Sequence, residues 1–296
     1  MTAATKRIGA LLIELPKPNV QILSSASIRK YDSEVTLYVR GFLTESERPK
    51  DYEAWTKFVR RRTLQVLIIR DLAASNTHSW ANLAIGYNWR SGNPRLNYLV
   101  PWMALYWFGT QLQFAFPSPA MALSFIAVDA GIHAAKLASH YHWATQRSEL
   151  FASELAAELL RLRKNYTRFR VVSHSLGCRH VMMALRELPA DQRPDVVHLC
   201  APAFRESEFN KGLLKEGCAR ERTYLYYTPR DRTLAFVFRY LLRGKGVGGV
   251  REPAMGEIGC LDKSYKGLEE IEAGQFFGAR VHTEYAFHFH KMAGFL

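Results

Sequence analysis

The chain has 296 residues, 48% of them hydrophobic, which is enough to bury a large core and fits one α/β domain better than two small ones. Forty Lys and Arg against 27 Asp and Glu leave a net charge of +13, which favours an anionic neighbour such as membrane headgroups or an acidic substrate but says nothing about fold. Cys178, Cys200, Cys218 and Cys260 stand far apart without a Cys-x-x-Cys pair; this argues against metal-knuckle and thioredoxin-type motifs and fits a reduced, cytoplasmic interior.

No period of repeat length and no low-complexity tract interrupts the chain, so residues 1–296 are read as a single domain. At the N-terminus, "TKRIGALLIELPKP" has a basic start, but its apolar run is broken by Glu14 and no small-residue cleavage site follows. A secretory signal is not expected there. The first clear strand is "EVTLYVRGFL", ending at Gly41, and the polar "TESERPKD" leads from it into a helix expected over 51–62. The charge groups Arg60-Arg61-Arg62 and Arg220 to Lys245 are read as solvated helical faces. "LQVLIIRDL" reads as a strand of unassigned register, and "IGYNWRSGNP" as another, stopped by its Ser-Gly-Asn-Pro turn signal.

From Leu96 to Val128 there is no Asp, Glu, Lys or Arg, and the segment is rich in aromatics. Its first half approaches the ~20 apolar residues that span a bilayer, but Pro101, Gly109, Gln111 and Gln113 weaken that reading. An apolar insertion or cap over 96–142 is expected instead. Trp143 to Arg163 follows as one amphipathic helix, with Leu150, Leu155, Leu159 and Leu162 near one stripe. "DVVHLCAP" and "RTYLYYTPRD" are two further strands. Strands alternating with helices predict a mostly parallel central sheet flanked by helices on both faces.

The chemistry sits in "RFRVVSHSLGCRHVMMALREL", Arg168 to Leu188, a buried-strand pattern that turns into a helix pattern through Ser-His-Ser-Leu-Gly. Reactive groups in such sheets collect beyond the carboxyl ends of the strands, where Ser175 lies. A serine hydroxyl is a poor nucleophile at neutral pH unless it is lifted out on a tight turn beside a base and oxyanion donors. The residues flanking the turn, Ser173 and Gly177, are small, as close passage of strand and helix requires.

This corner resembles the nucleophile elbow of the α/β-hydrolases, usually Gly-x-Ser-x-Gly, with Ser173 in place of the first glycine. The resemblance runs from about Val35 to Phe287, and the element lengths are similar to bacterial branches of that fold described as domains of unknown function. "YVRGFL" occupies the place of the family's strand-His-Gly-aromatic; Arg40 replaces the histidine, and Gly41 and Phe42 match. The resemblance implies that the backbone N–H groups of Phe42 and Leu176 form the oxyanion site. It also implies a triad in the order Ser, acid, His: Ser175, Asp231 in the turn after "LYYTP", and His282 in "ARVHTEYAFHFH".

Glu257 and Asp262 remain as reserve acids, and His288 and His290 compete for the base. Gly41, His174 and Trp89 are the expected substrate-contacting residues, although His174 next to the nucleophile also suits a packing or supporting role. Cys178 is expected behind the elbow. His140-x-His142 and His288-x-His290 lack a further ligand at metal spacing, so no metal or other cofactor is expected. "RGKGVGGVREP" lacks the ending of a phosphate-binding loop, and nucleic-acid binding has only the net charge in its favour. The expectation is a serine hydrolase of the carboxylesterase or lipase kind acting on a lipophilic acyl ester, cytoplasmic and peripheral to an anionic membrane. A catalytically inactive, membrane-associated interaction protein on the same scaffold is the alternative.

Overall fold

The computed structural model describes residues 19–25, 34–45, 47–56, 59–62, 65–68, 83–92, 138–242, 252–278 and 281–293. Residues 1–18, the region of the secretory reading, and 96–137 of the expected insertion lie outside the described residues, as does most of the glycine-rich loop after Arg243.

Seven strands form one sheet in the order β1-β5-β2-β6-β7-β8-β9: β1 Asn19–Ser25, β2 Glu34–Val39, β5 Leu83–Asn88, β6 Arg168–His174, β7 Val196–Cys200, β8 Arg222–Tyr227 and β9 Leu268–Glu272. Only β1, at one edge, pairs antiparallel; the other five pairings are parallel. The central strands β6 and β7 are buried along nearly their whole length, as parallel strands covered on both faces must be. The opposite edge strand β9, "LEEIE", has only partly buried and exposed positions, and its glutamates blunt an otherwise open edge. The sheet is mostly parallel with helices packed against it, as expected from the sequence.

One face carries α1 (Ala152–Asn165) and α2 (Leu176–Arg186). Ala152, Leu155, Ala156, Leu159 and Leu162 of α1 are buried at the spacing of a single helical stripe. Against the same face, His180 of α2 stacks on Trp89 with ring centres 4.5 Å apart. On the other face, Phe289 of α3 (Val281–Met292) packs on His198 and Tyr226 of the sheet and on Trp55 of the short helix Glu53–Thr56.

Several local readings need correction. The helix expected over 51–62 ends at Thr56, and Val59–Arg62 is instead β3, paired antiparallel with β4, Gln65–Ile68, in a separate two-stranded sheet. The arginine run therefore lies on a strand rather than on a helical face, and Gln65–Ile68, within the strand read in "LQVLIIRDL", pairs with it. The helix expected from Trp143 is already formed at 138, the first residue described there, and is distorted at Phe151, although Phe151 still donates to Arg147 O and accepts from Leu155 N–H. Leu150 is 55% exposed, because five residues from Leu155 is about 140° round a helix and so off the buried stripe. His140 and His142 lie on this helix and His288 and His290 on α3, so neither pair shares the strand face that would aim both rings one way.

Among the described residues no group of three or more His, Cys, Asp or Glu could hold a metal ion, and no helix is long and apolar enough to cross a membrane.

Two core histidines make the fold acid-sensitive. Burial lowers His180 to about 4 and His198 to about 3, whereas an unfolded histidine titrates near ~6.5. Between those values the unfolded chain binds more protons than the folded one. Stability therefore falls as pH drops below about 6.5, by roughly 1.4 kcal/mol per pH unit for each histidine, until the folded-state values are reached. Urea midpoints measured from pH 7.5 to 4.5 should decline in that window, and His198→Phe should flatten the decline. A profile level down to pH 4.5 would contradict neutral burial.

Candidate active site

Three loops beyond the carboxyl ends of β2, β6 and β8 and the first turn of α3 meet at Ser175. Between β6 and α2 the chain reverses through Ser175 at φ 55° and ψ −125°, a conformation that costs a non-glycine residue on the order of 1–3 kcal/mol. The surroundings hold it there: Ser175 N–H donates to Cys200 O (2.9 Å), while Ser175 O accepts from Cys178 N (3.1 Å) and Ala203 N (3.2 Å). The side chain is thereby lifted off the sheet edge.

Close backbone approach explains the flanking residues. A Cβ on Gly177 would stand 2.4 Å from Arg40 O and 2.6 Å from Val39 O, and one on Gly41 would stand 2.8 Å from Ser175 Cβ and 2.9 Å from His174 O. The end of β2 and the elbow thus pass within contact distance, which only glycine on each side permits. Position 173 is different. Its side chain turns into the core, where Ser173 Oγ lies 3.1 Å from His198 O as a donor, so a small hydroxyl is accommodated where related chains carry glycine. Cys178 is fully buried behind this corner, its thiol pushed up to about 12 by desolvation.

His282 Nε2 lies 3.1 Å from Ser175 Oγ, and its Nδ1 lies 2.7 Å from Asp231 Oδ2. The His282 side chain is 16% exposed and that of Asp231 wholly buried, so the site opens to solvent on the histidine side and is closed behind the carboxylate. The second oxygen of Asp231 is also engaged: Oδ1 accepts from Leu234 N–H at 3.1 Å, capping the helical segment Thr233–Leu242 in the manner of an N-cap aspartate. One residue thus ends the loop after β8, caps the next helix and reaches the imidazole.

The reserve residues lie in other contacts. Glu257 pairs with Arg239 at 2.5 Å, and Asp262 accepts from the Ser264 amide and hydroxyl. His288 faces Glu284 at 3.9 Å, and His290 is lowered to about 4 by burial.

Next to the elbow, the loop of Arg40 to Thr44 is fixed through its carbonyls. Trp89 Nε1–H donates to Arg40 O (2.8 Å), Thr44 Oγ1 donates to Gly41 O (2.7 Å), and Leu43, at φ 63°, donates its N–H to Ser91 O (3.1 Å). A Cβ built on Gly41 would lie 3.3 Å from Leu176 N, so this loop and the start of α2 face one another. Leu176 is the first residue of α2, and its N–H belongs to those that an α-helix leaves unused.

Trp89 departs from expectation. It is 2% exposed, stacked on His180, and its indole N–H is taken by a main-chain carbonyl. It stands behind the loop as a support and not among groups open to a substrate. His174 is partly buried, in a cluster with Trp55, His282 and Tyr285. The Leu234 cap, the Thr44 and Ser91 contacts and the His174 contact with α3 were missed in the sequence, because each joins a side chain to a backbone group whose position depends on the fold.

Residues 109–245 match the model of a family described as alpha/beta hydrolase of unknown function (DUF900), a stretch that contains β6, the elbow, β7, β8 and Asp231. No curated protein matches the chain. Among solved structures, a thermophilic esterase from the Planctomycetes species Thermogutta terrifontis, Est2 with propionate bound, is similar at 11% identity and a TM-score of 0.38, over 96% of this chain and 92% of that one. The apo form of Thermogutta terrifontis esterase 2 is similar at 12% identity and a TM-score of 0.32, over the same shares.

Proposed function

We propose that the chain is a serine hydrolase of the α/β-hydrolase kind that cleaves a carboxylic ester through Ser175, His282 and Asp231; the match of residues 109–245 and the mostly parallel sheet support this reading. The observation that carries the reading is the continuous path from Asp231 Oδ2 through the imidazole of His282 to Ser175 Oγ, with steps of 2.7 and 3.1 Å.

In the proposed reaction, Ser175 Oγ attacks the ester carbonyl carbon as His282 Nε2 takes the hydroxyl proton. The C–O bond to the leaving alcohol then breaks, and His282 returns that proton to the departing oxygen. Water, deprotonated by the same nitrogen, attacks the acyl-serine and releases the acid and free Ser175. Asp231 keeps Nδ1 protonated, so that Nε2 presents its lone pair to the serine, and stabilises the imidazolium between the two transfers. The amides of Phe42 and Leu176 hold the negative oxygen of the tetrahedral intermediate, a contribution worth about 10²–10³ in turnover for one such donor. The fixed carbonyls of Arg40 and Gly41 support this role, because they hold the peptide that carries the Phe42 N–H.

The uncharged, aromatic stretch over 96–128 supports an apolar acyl group as the substrate's distinguishing part, each buried CH₂ being worth ~0.8 kcal/mol. A fluorophosphonate probe followed by mass spectrometry of the labelled peptide tests the reading. We expect an adduct on Ser175 and rates on p-nitrophenyl esters that rise from acetate to longer chains. Absence of labelling would leave the scaffold without this activity, and rates highest on acetate would remove the apolar acyl group.

A further inference from the structure

His174 directly precedes Ser175 in the chain. Its Nε2 lies 2.9 Å from the main-chain carbonyl oxygen of His282. A carbonyl only accepts, so this nitrogen carries the proton and donates. The two imidazoles are 5.0 Å apart, and the His174 ring is packed between Trp55 at 5.6 Å and Tyr285 at 5.8 Å. Desolvation first, and then the adjacent His282 and Arg40, hold His174 well below the ordinary histidine range. It is therefore a neutral, fixed donor at neutral pH.

The consequence is mechanical. His282 is the second residue of α3, so its side chain swings from the backbone at the start of that helix. Through residue 174, the strand and turn that carry Ser175 also grip the backbone that carries the base. Nucleophile and base become parts of one clamped unit, although they lie 107 residues apart in sequence.

Resting on the serine-hydrolase reading, we propose that His174 is a positioning residue that sets the Ser175–His282 distance by holding the His282 carbonyl. It donates no proton to the substrate and touches no reacting atom. Because misplacement of a reacting group by about 1 Å can cost ~10²-fold, the contact acts on turnover and not on substrate affinity.

The test is a series at position 174, with wild-type labelling at Ser175 as the first measurement; if the wild type is not labelled, the reading beneath the proposal fails. His174→Phe keeps a ring between Trp55 and Tyr285 but removes the donor. His174→Gln keeps an N–H donor of similar reach. We expect kcat on a p-nitrophenyl ester to fall about 10- to 100-fold in the Phe variant with KM within about twofold, and the Gln variant to recover most of the loss. Thermal unfolding would verify that each variant is folded. Should the Phe protein not fold, His174→Leu and the Gln variant are compared in the same way. Undiminished kcat in a folded variant without the donor, or a Gln variant as slow as Phe, would overturn the proposal while leaving the labelled Ser175 untouched.

Discussion

Ser175→Ala is expected to lower kcat on a short p-nitrophenyl ester by about 10⁶, the order observed when the nucleophile of a serine hydrolase is deleted. Without Oγ no acyl-enzyme can form, and what remains is whatever the oxyanion donors and bound water achieve. The fold should be unaffected. Residue 175 sits at φ 55°, and alanine meets the same backbone strain as serine there, so the change removes one oxygen and no conformational preference. The Oγ has its contact with His282 Nε2, at a side chain that already reaches solvent; a stability change below about 1 kcal/mol is expected. Circular dichroism and urea unfolding would establish this, and a variant retaining more than a tenth of wild-type kcat would show that the hydroxyl is not the nucleophile.

The second large effect is at Asp231. Asp231→Asn is expected to lower kcat by about 10⁴ with little change in KM, and the surroundings indicate why an isosteric change is so harmful. Leu234 N–H points at one carboxylate oxygen. An asparagine must turn its carbonyl oxygen to that donor, or leave a buried N–H facing an NH₂ group, and so its NH₂ faces His282 Nδ1. Nδ1 must then accept, the proton moves to Nε2, and the nitrogen facing Ser175 is no longer able to take the serine proton. The charge that would stabilise the imidazolium is lost as well. Asp231→Ala also removes the oxygen that accepts Leu234 N–H, so it should cost stability where Asn does not, by about 0.5–2 kcal/mol. A drop in kcat of less than tenfold in the Asn variant would mean that another carboxylate orients the base. Glu257 and Asp262, held by Arg239 and Ser264, would then have to leave their present partners.

These two variants and the position-174 series separate distinct levels of the site. In the proposed reaction, deleting Ser175 would remove the bond-forming atom, changing Asp231 would alter where a proton rests, and changing His174 would move the base without altering its chemistry.

Much of this arrangement was visible without coordinates, for a definite reason. The sheet strands "EVTLYV", "RFRVVSH", "VVHLC" and "RTYLYY" carry their own signal, because a parallel strand covered on both faces must be apolar nearly throughout. The elbow was equally legible, since a reactive serine on a turn between backbones in contact demands small neighbours, and Gly177 meets Val39 and Arg40 carbonyls as that demand implies. Where the reading went astray, the signal was shared between structures. Asp51 to Arg62 has a helical beginning, and nothing local says that Val59–Arg62 will pair with Gln65–Ile68 instead of continuing it. Trp89 looked like a pocket residue because aromatic side chains line pockets and cores alike; its indole hydrogen bond to Arg40 O decides for the core.

The sequence by itself determined the α/β sheet, the strand-to-helix corner at Ser175 and a set of acids and histidines further along the chain, because burial, periodicity and turn chemistry act over a few neighbouring residues. Only the tertiary structure decided that Asp231 and His282, from that set, reach one another and the serine, that His282 opens a helix, and that His174 grips its backbone. Those outcomes depend on distances between segments 51 to 108 residues apart, and such distances exist only once the sheet has brought the ends of its strands together.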